Sequence, residues 1–427
     1  MSHELLDDKG RPVVVLTGFG LVTPLGRGKQ DNWCELVNGT SGISKITRFS
    51  TEGLNTKIAG TVDVTENAPL SGQGRALALA IESATEAISQ ADIGTPGHFP
   101  GPLFLATPPA TLEWSHRKAL YTYMSDDEAA GYERLLKAAR SGKFNELYDL
   151  YQYGGVGDEL ADRLGTRGLP ISLSTACASG ASAIQLGVEA IRRGDTQTAL
   201  CIGTDGSVTV EGLVRFSLLS ALSTQNDTPE KASKPFSKNR DGFVMSEGSA
   251  SFVFETYENA RARGAEILGV VRGCGERADN FHRTRSKPDG SANIGAIQNT
   301  LNDAGVDTSE IDYINAHGTS TPENDKMEYL SLKAVFGDRL IDIPISSNKS
   351  MIGHTLTAAG AIEAAFSFLT IQNNIVPPTI NYDMPDPDIE LDIVPNKSRA
   401  ANVNMVLSDS FGFGGQNVCL VLAAEPV

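Results

Sequence analysis

No apolar run in this chain approaches the roughly 18 residues a membrane helix needs, and the opening MSHELLDDKGRP contains no apolar signal-peptide core. A cytoplasmic protein without membrane insertion is the expectation. Cysteine is scarce: Cys34, Cys177, Cys201, Cys274 and Cys419 are odd in number, far apart and form no CxxC pair. Neither a disulfide framework nor a zinc site is indicated. Positive charge is also short, with 36 Lys and Arg against 52 Asp and Glu and a net charge of −16. That balance argues against nucleic-acid binding and requires of any acidic partner a local basic patch. Low-complexity segments and long linkers are missing too, so one compact unit is expected.

What remains is ordinary for a globular α/β enzyme: 427 residues, 40% of them apolar, with 43 glycines. Strand patterns fall at 13–23, 103–105, 171–173, 198–203 and 248–254, and again at 267–271, 311–315, 343–347, 404–407 and 418–422. Helical patterns lie between them at 75–91, after Cys177 as far as Arg193, and at 294–304, 326–335 and 358–371. Such alternation predicts sheets covered by helices. The second half repeats the grammar of the first, a weak internal duplication dividing the chain into 1–260 and 261–427. A polar, Tyr-rich helical stretch at about 115–168 reads as a cap over the core. The stretch 13–23 reads as a buried strand entering a glycine-bearing turn. Its TGFG lacks the third glycine and the later acidic residue of a dinucleotide loop.

Three segments carry chemistry. Cys177 stands between a short strand pattern and a helical one, so its sulfur is expected at a helix's first turn, where free N–H groups and the dipole favour thiolate. The small residues Ala176, Ala178, Ser179, Gly180 and Ala181 would let another chain or a substrate approach. The bland alternative is a buried structural cysteine. His317 follows an apolar strand in a His-Gly-Thr-Ser-Thr turn, and His354 follows Gly353 in a similar one; these are two of only six histidines. Strand-end turns are where open α/β sheets place their chemistry. Asp325 and Glu328 share one helix face, where they either complement the helix dipole or orient the histidines. A glycine-rich turn, SFGFGG, completes the set, with Phe411 or Phe413 as a possible gate.

The motifs STACASGA, NAHGTSTP-x-x-D-x-x-E, NKS-x-x-GH-x-x-x-AAG and SFGFGG, in this order, resemble the signatures of β-ketoacyl-acyl-carrier-protein synthases of the Cys-His-His group. The spacings 317 − 177 = 140 and 354 − 317 = 37 are similar to those of synthase II. Chalcone-synthase-like relatives have Asn where His354 stands and fit less well. The resemblance implies a thiolase-like α/β fold, layered αβαβα from two similar mixed-sheet halves. It implies decarboxylative Claisen condensation, with the acyl group on Cys177 and a malonyl thioester on acyl carrier protein. His317 and His354 would donate to the developing enolate, Lys349 would raise the positive potential there, and Asp325 and Glu328 would support the network. The Cys177 and Phe413 amides would hold the oxyanion, Phe413 with Gly414 would gate, and Thr319, Thr321 and Thr284 would line the phosphopantetheine tunnel. No metal or redox cofactor is implied, and a homodimer is. A polyketide ketosynthase and a non-catalytic chain-length-factor-like subunit are the competing readings.

Some expected features depart from the family's pattern. Residues 106–112 read ATPPATL where a glycine-rich strand end belongs, which places about Pro109 against the acyl tunnel and stiffens that turn. Residues 70–77 retain only Arg75 of a basic cluster, and Ser220 stands where synthase II has Arg. A carrier patch rebuilt from Arg117, Lys118, Lys137, Arg140 or Lys143, and a synthase specialised for unusual or very long chains, are the corresponding expectations.

Overall fold

The computed structural model describes residues 5–64, 71–95, 97–123 and 130–424. Leu70 and the cap residues 124–129 lie outside the described residues. The first half supplies strands β1 (Val14–Thr23), β2 (Leu103–Ala106), β3 (Ile171–Leu173), β4 (Thr198–Asp205) and β5 (Gly248–Thr256), and the second supplies β6 (Gly269–Ala278), β7 (Tyr313–Asn315), β8 (Pro344–Ser346), β9 (Met405–Phe411) and β10 (Gln416–Ala423). Their spatial orders, β3-β2-β4-β5-β1 and β8-β7-β9-β10-β6, are the same order of third, second, fourth, fifth and first. In both halves the second strand runs parallel to its two neighbours, and the other two pairings among these five strands are antiparallel. The duplication hinted at in the sequence is therefore a duplication of topology. Two residue pairs, Val15 with Val270 and Leu16 with Gly269, join β1 to β6 antiparallel and make the two sheets one continuous path.

Five layers result. Helix α1 (Gly72–Ala91) packs on β1, β5 and β4, and α3 (Ser291–Ala304), with α4 (Pro322–Phe336) beside it, packs on β6 and β10. Between the halves, α2 (Ser179–Arg192) and α5 (Ala359–Asn373) pack against each other. Every residue of α5 from Ala359 to Ile371 is buried, which explains why its apolar residues show no one-sided stripe.

One expected turn is absent. β1 continues as strand, with a bulge between Leu16 and Gly18, through Gly20 to Thr23, because α1 lies directly on those positions. A Cβ at Gly20 would come within 2.0 Å of the Ser83 carbonyl, and one at Gly18 within 2.2 Å of the Ala87 carbonyl. These glycines serve helix–sheet contact rather than a ligand. The cap is also smaller than expected. Of the four helices among its described residues, Gly155–Leu164 belongs to the core through Val156, Leu160 and Leu164, whereas Trp114–Tyr123 buries no residue. Among the described residues no helix is long and apolar enough to cross a membrane, and all five cysteines are free.

Candidate active site

Cys177 occupies a single 3₁₀ turn, Ala176–Ala178, that leads into α2. Ala176 holds a left-handed φ of 50°, a strained conformation for a residue with a Cβ, which sets the sulfur at the inner end of the turn. The small residues after it admit neither substrate nor another chain. A Cβ at Gly180 would stand 2.4 Å from the Ala361 amide nitrogen, so this space belongs to α5. The expected low thiol pKa is not what the site provides. Burial pushes Cys177 up to about 11, although the Phe413 backbone N–H bonded to it and the charge of Lys349 pull the other way. Loss of water around the sulfur outweighs the helix terminus.

His354 follows Gly353, whose φ is 75°, and points back toward the sulfur. Its Nε2 lies 3.1 Å from Cys177 Sγ, and its Nδ1 accepts the Leu356 N–H at 3.3 Å. A neutral ring that accepts at Nδ1 carries its hydrogen on Nε2, facing the sulfur. His317 stands in the turn from β7 to α4. Lys349 Nζ is 3.4 Å from its Nδ1, which leaves Nε2 as the donor there too. The two rings meet edge to face with centroids 5.4 Å apart, flanked by Phe243 on His354 and Phe411 on His317. Burial, reinforced by the charge of Lys349, holds both imidazoles well below their usual pKa, so both are neutral. The sulfur and one ring nitrogen of each histidine lie within 4.8 Å of one another. Residues separated by 140 and 37 positions thus share one buried point.

Lys349 owes its position to a partner that the sequence reading missed. It is fully buried and ion-paired with Glu363 of α5. A lone carboxylate in the all-apolar stretch AIEAAF was the available signal, since buried acids are almost always paired. Burial pushes Glu363 up to about 7 against the pull of Lys349. Asp325 and Glu328 do not touch either ring. Glu328 accepts the amides of His317 and Gly318 at 2.6 and 2.7 Å, and Asp325 accepts the amide of Phe236 at 2.8 Å. Glu328 thus fixes the backbone of the turn and so aims the ring, while Asp325 ties α4 to the neighbouring segment at Phe236.

Three cavities meet here, and Phe413 lines all of them. The innermost holds Cys177, His317, His354, Thr319 and Thr321. The two threonine hydroxyls are 2.8 Å apart, and Thr321 also caps α4. A second cavity of about 550 Å³ leads outward past Thr321, Thr284 and Gly414. Thr284 and Gly414 therefore belong to its mouth and not to the point where the sulfur and imidazoles converge. The third, about 390 Å³, extends from Cys177 past Phe216 and Leu356 to Pro108 and Pro109. Ser220 lines the outward cavity, as its expected place near the opening requires. Arg75 does not greet a partner at all: it is buried, bridges to Glu247 and donates to the carbonyls of Gly206 and Val208. As for a metal, the Cys-His-His donor set is one that a soft divalent ion accepts.

The N-terminal domain model of the β-ketoacyl synthases matches residues 11–96 and 119–260, and the C-terminal domain model matches 268–383. The chain belongs to the β-ketoacyl synthase family. Among curated members, 3-oxoacyl-[acyl-carrier-protein] synthase 2 of Coxiella burnetii is 36% identical, covering 96% of this chain and 98% of that protein. The ketoacyl synthase alpha subunit of the tetracenomycin polyketide synthase of Streptomyces glaucescens is also 36% identical, covering 96% of each. Among solved structures, a type II polyketide ketosynthase in complex with its acyl-carrier protein and bound to the hexaketide superposes with a TM-score of 0.86 at 32% identity, covering 97% of this chain and 100% of that one. A β-ketoacyl synthase from Burkholderia phymatum gives 0.83 at 30%, covering 97% and 99%. Residues 97–118, between the two matched stretches, include the 106–112 segment that departs from the family pattern and walls the cavity beside Cys177.

Proposed function

We propose that the protein is an elongating acyltransferase of the 3-oxoacyl-carrier-protein synthase type. The observation that carries this reading is the buried convergence of one thiol and two Nε2–H donors between two cavities. In the first half-reaction Cys177 attacks an acyl thioester, and the proton lost by the thiol is the one the departing carrier sulfur takes up. The Phe413 amide, already directed at the sulfur, and the Cys177 amide face the oxyanion that forms. In the second, a malonyl thioester enters along the outward cavity and loses carbon dioxide. Negative charge moves onto the thioester oxygen, which two preorganised N–H donors stabilise by roughly 3 kcal/mol each. The enolate carbon then attacks the acyl-Cys177 carbonyl, the C–S bond breaks, and the sulfur leaves as thiolate and takes one proton from water. These steps draw only on protein groups and carrier-borne substrates, so dialysis against EDTA is expected to leave turnover unchanged.

Two partners follow from this reading: an acyl carrier protein and a second copy of the chain. Supporting the latter, among the described residues β3 pairs only with β2 and leaves a free edge, with Ile171 47% and Leu169 89% exposed. A cytoplasmic location fits five unbridged cysteines. The test is to mix acyl-carrier and malonyl-carrier substrates with the protein and measure carbon dioxide and the β-ketoacyl product by mass spectrometry. Cys177→Ala must abolish both acyl loading and product.

A second reading, a polyketide-type ketosynthase, is favoured by the outer wall of the acyl cavity. Thr111, Glu113, Ser207, Thr209, Glu211 and Arg215 add polar groups to a lining that also includes Pro108, Pro109, Phe216 and Leu356, so an oxygenated chain would find partners there. A panel of carriers bearing alkyl and β-keto acyl groups separates the two. The non-catalytic subunit reading predicts no acyl adduct on Cys177, which the loading assay decides.

A further inference from the structure

The cavity that runs from Cys177 to Pro108 and Pro109 changes character along its length. Phe216 and Leu356 stand beside the sulfur, where an acyl chain begins. Farther out the wall carries carboxylates. Glu113 gives one oxygen to the amide of Gly72, the first residue of α1, and Glu211 gives one to the amide of Trp114. Among the described residues the second oxygen of each takes no hydrogen bond, and neither side chain is held in an ion pair. Both act on one group: burial first, and then the charges of Glu113 and, more weakly, Glu211 push the Tyr151 hydroxyl up to about 12. The two carboxylates therefore face a common region. The charges acting on the Cys177 thiol come instead from Lys349, Glu363 and Asp205, which sets that region apart from the reacting sulfur.

A third acceptor stands in the same wall. Gln73, the second residue of α1, lines the cavity and is 6% exposed. Its Nε2 donates to the Pro108 carbonyl at 3.2 Å, and its Oε1 is buried without a partner. A buried amide oxygen in that state destabilises the fold until a donor reaches it. The wall itself supplies few donors. Arg215 is exposed, and its Nη2 lies 3.4 Å from Thr111 Oγ1 rather than on a carboxylate. The hydroxyls of Thr111, Ser207 and Thr209 can serve either way. Glu113 and the two prolines belong to the stretch 97–118 that the family model leaves unmatched, so this chemistry is the chain's own.

We propose that Gln73, Glu113 and Glu211 form a specificity subsite that selects acyl chains whose distal part carries a hydrogen-bond donor, a hydroxyl or an amine, over plain alkyl and keto chains. This rests on the reading of the protein as a condensing enzyme acylated at Cys177. It also divides the oxygenated chains into two kinds. A keto group only accepts and would set acceptor against acceptor, whereas a hydroxyl or an amine meets the carboxylates and the Gln73 oxygen with N–H or O–H.

The test uses the full-length protein and N-acetylcysteamine thioesters of matched, medium chain length that end in a methyl, a hydroxyl, an amine or a methyl ketone. Acylation of Cys177, followed by intact-protein mass spectrometry, is expected to be about tenfold or more faster in kcat/KM for the hydroxyl or the amine than for the methyl, with the ketone no better than the methyl. The amine leads if the carboxylates act by charge, and the hydroxyl leads if they act by hydrogen bonding alone. The double variant E113Q/E211Q keeps an oxygen for each backbone amide and adds a donor, so the hydroxyl advantage should shrink and the ketone should rise above the methyl. A purely structural role would not produce that inversion. Gln73→Met leaves both carboxylates in place and should reduce the hydroxyl advantage several-fold. Binding of the same thioesters to Cys177→Ala, read by calorimetry, reports the cavity without reaction. If Cys177 is never acylated but the order persists in binding, the condensing reading fails and the subsite stands. Equal acylation and binding across the panel would overturn the proposal. So would a methyl chain preferred in both, or an order left unchanged by E113Q/E211Q and by Q73M.

Discussion

The turn that carries Cys177 and the turn that follows His354 are equivalent pieces of the two halves. Thr175-Ala176-Cys177-Ala178-Ser179-Gly180-Ala181 corresponds to Thr355-Leu356-Thr357-Ala358-Ala359-Gly360-Ala361. Each is a 3₁₀ turn feeding a central-layer helix, and each begins with a residue of left-handed φ, 50° at Ala176 and 49° at Leu356. The amides of Ala178 and Ala358 close the turns on the carbonyls of Thr175 and Thr355 at 3.2 and 3.0 Å. The two differ in what occupies the third position. Thr357 donates to Asp205 and to the Thr204 carbonyl at 2.7 and 2.8 Å, so its hydroxyl is engaged in structure. Cys177 has no such partner, only the Phe413 amide and the His354 ring. One backbone device thus holds a bracing hydroxyl in one copy and a thiol facing an imidazole in the other, and the distinction lies in what surrounds the side chain.

The sharpest way to break the comparison is to change the third position in each copy. Cys177→Ala should reduce acyl loading by more than about 10⁴-fold, because no other nucleophile lies at the convergence point. Thr357→Val should keep loading within about tenfold and cost about 1–3 kcal/mol of stability, since it leaves buried Asp205 short of a donor. Intact-protein mass spectrometry and thermal unfolding read the two effects. Next in size is removal of one donor: His317→Ala should lower malonyl decarboxylation about 10²–10³-fold. Acyl loading, which uses the sulfur and the amides, should fall much less, and the release of carbon dioxide separates the two steps.

Asp409 sharpens a different contrast, between buried carboxylates that have partners and one that is poorly partnered. Burial and the charge of Glu363 push it up to about 7, with only the Cys419 thiol opposing. In the unfolded chain it ionises near 3.8. Between those two values the folded protein retains a proton that the unfolded chain has lost, so stability falls as pH rises through this window. Above it the buried charge remains as a penalty of about 2–4 kcal/mol. Asp409→Asn should therefore raise Tm at pH 8, leave it almost unchanged at pH 4 and flatten the profile between. The smallest effect tests the raised thiol. Iodoacetamide labelling at Cys177, followed on its peptide, should continue to increase beyond pH 9 without a plateau, whereas a depressed thiol would level off below 8.

Much of the fold was legible in advance. Alternating patterns located the ten strands β1–β10 and the helices packed on them, but not the helices Gly28–Val37 and Val210–Ser217 or the other strands of two or three residues, and errors fell where packing overrides local preference. The turn expected at Gly18 and Gly20 is continuous strand because α1 presses on it, a contact between segments some 65 positions apart, as in the Leu21 amide bonded to Glu86. The site was legible wherever a distinctive residue stood in a strand-end turn, as Cys177, His317 and His354 do. Glu363 was not, because nothing local in a helix of alanine and phenylalanine shows that a lysine from another turn reaches it.

Chain order alone was enough to single out the thiol, both imidazoles, the lysine beside them and the repeated alternation of strand and helix, since each depends on residue type and short-range spacing. Electrostatic character was beyond its reach. Whether the thiol ionises, which imidazole nitrogen bears hydrogen, that Arg75 is an internal brace and that Gln73, Glu113 and Glu211 share one cavity wall all depend on neighbours brought in from distant segments. Burial and Coulomb interactions act through space, and only the folded arrangement sets those distances.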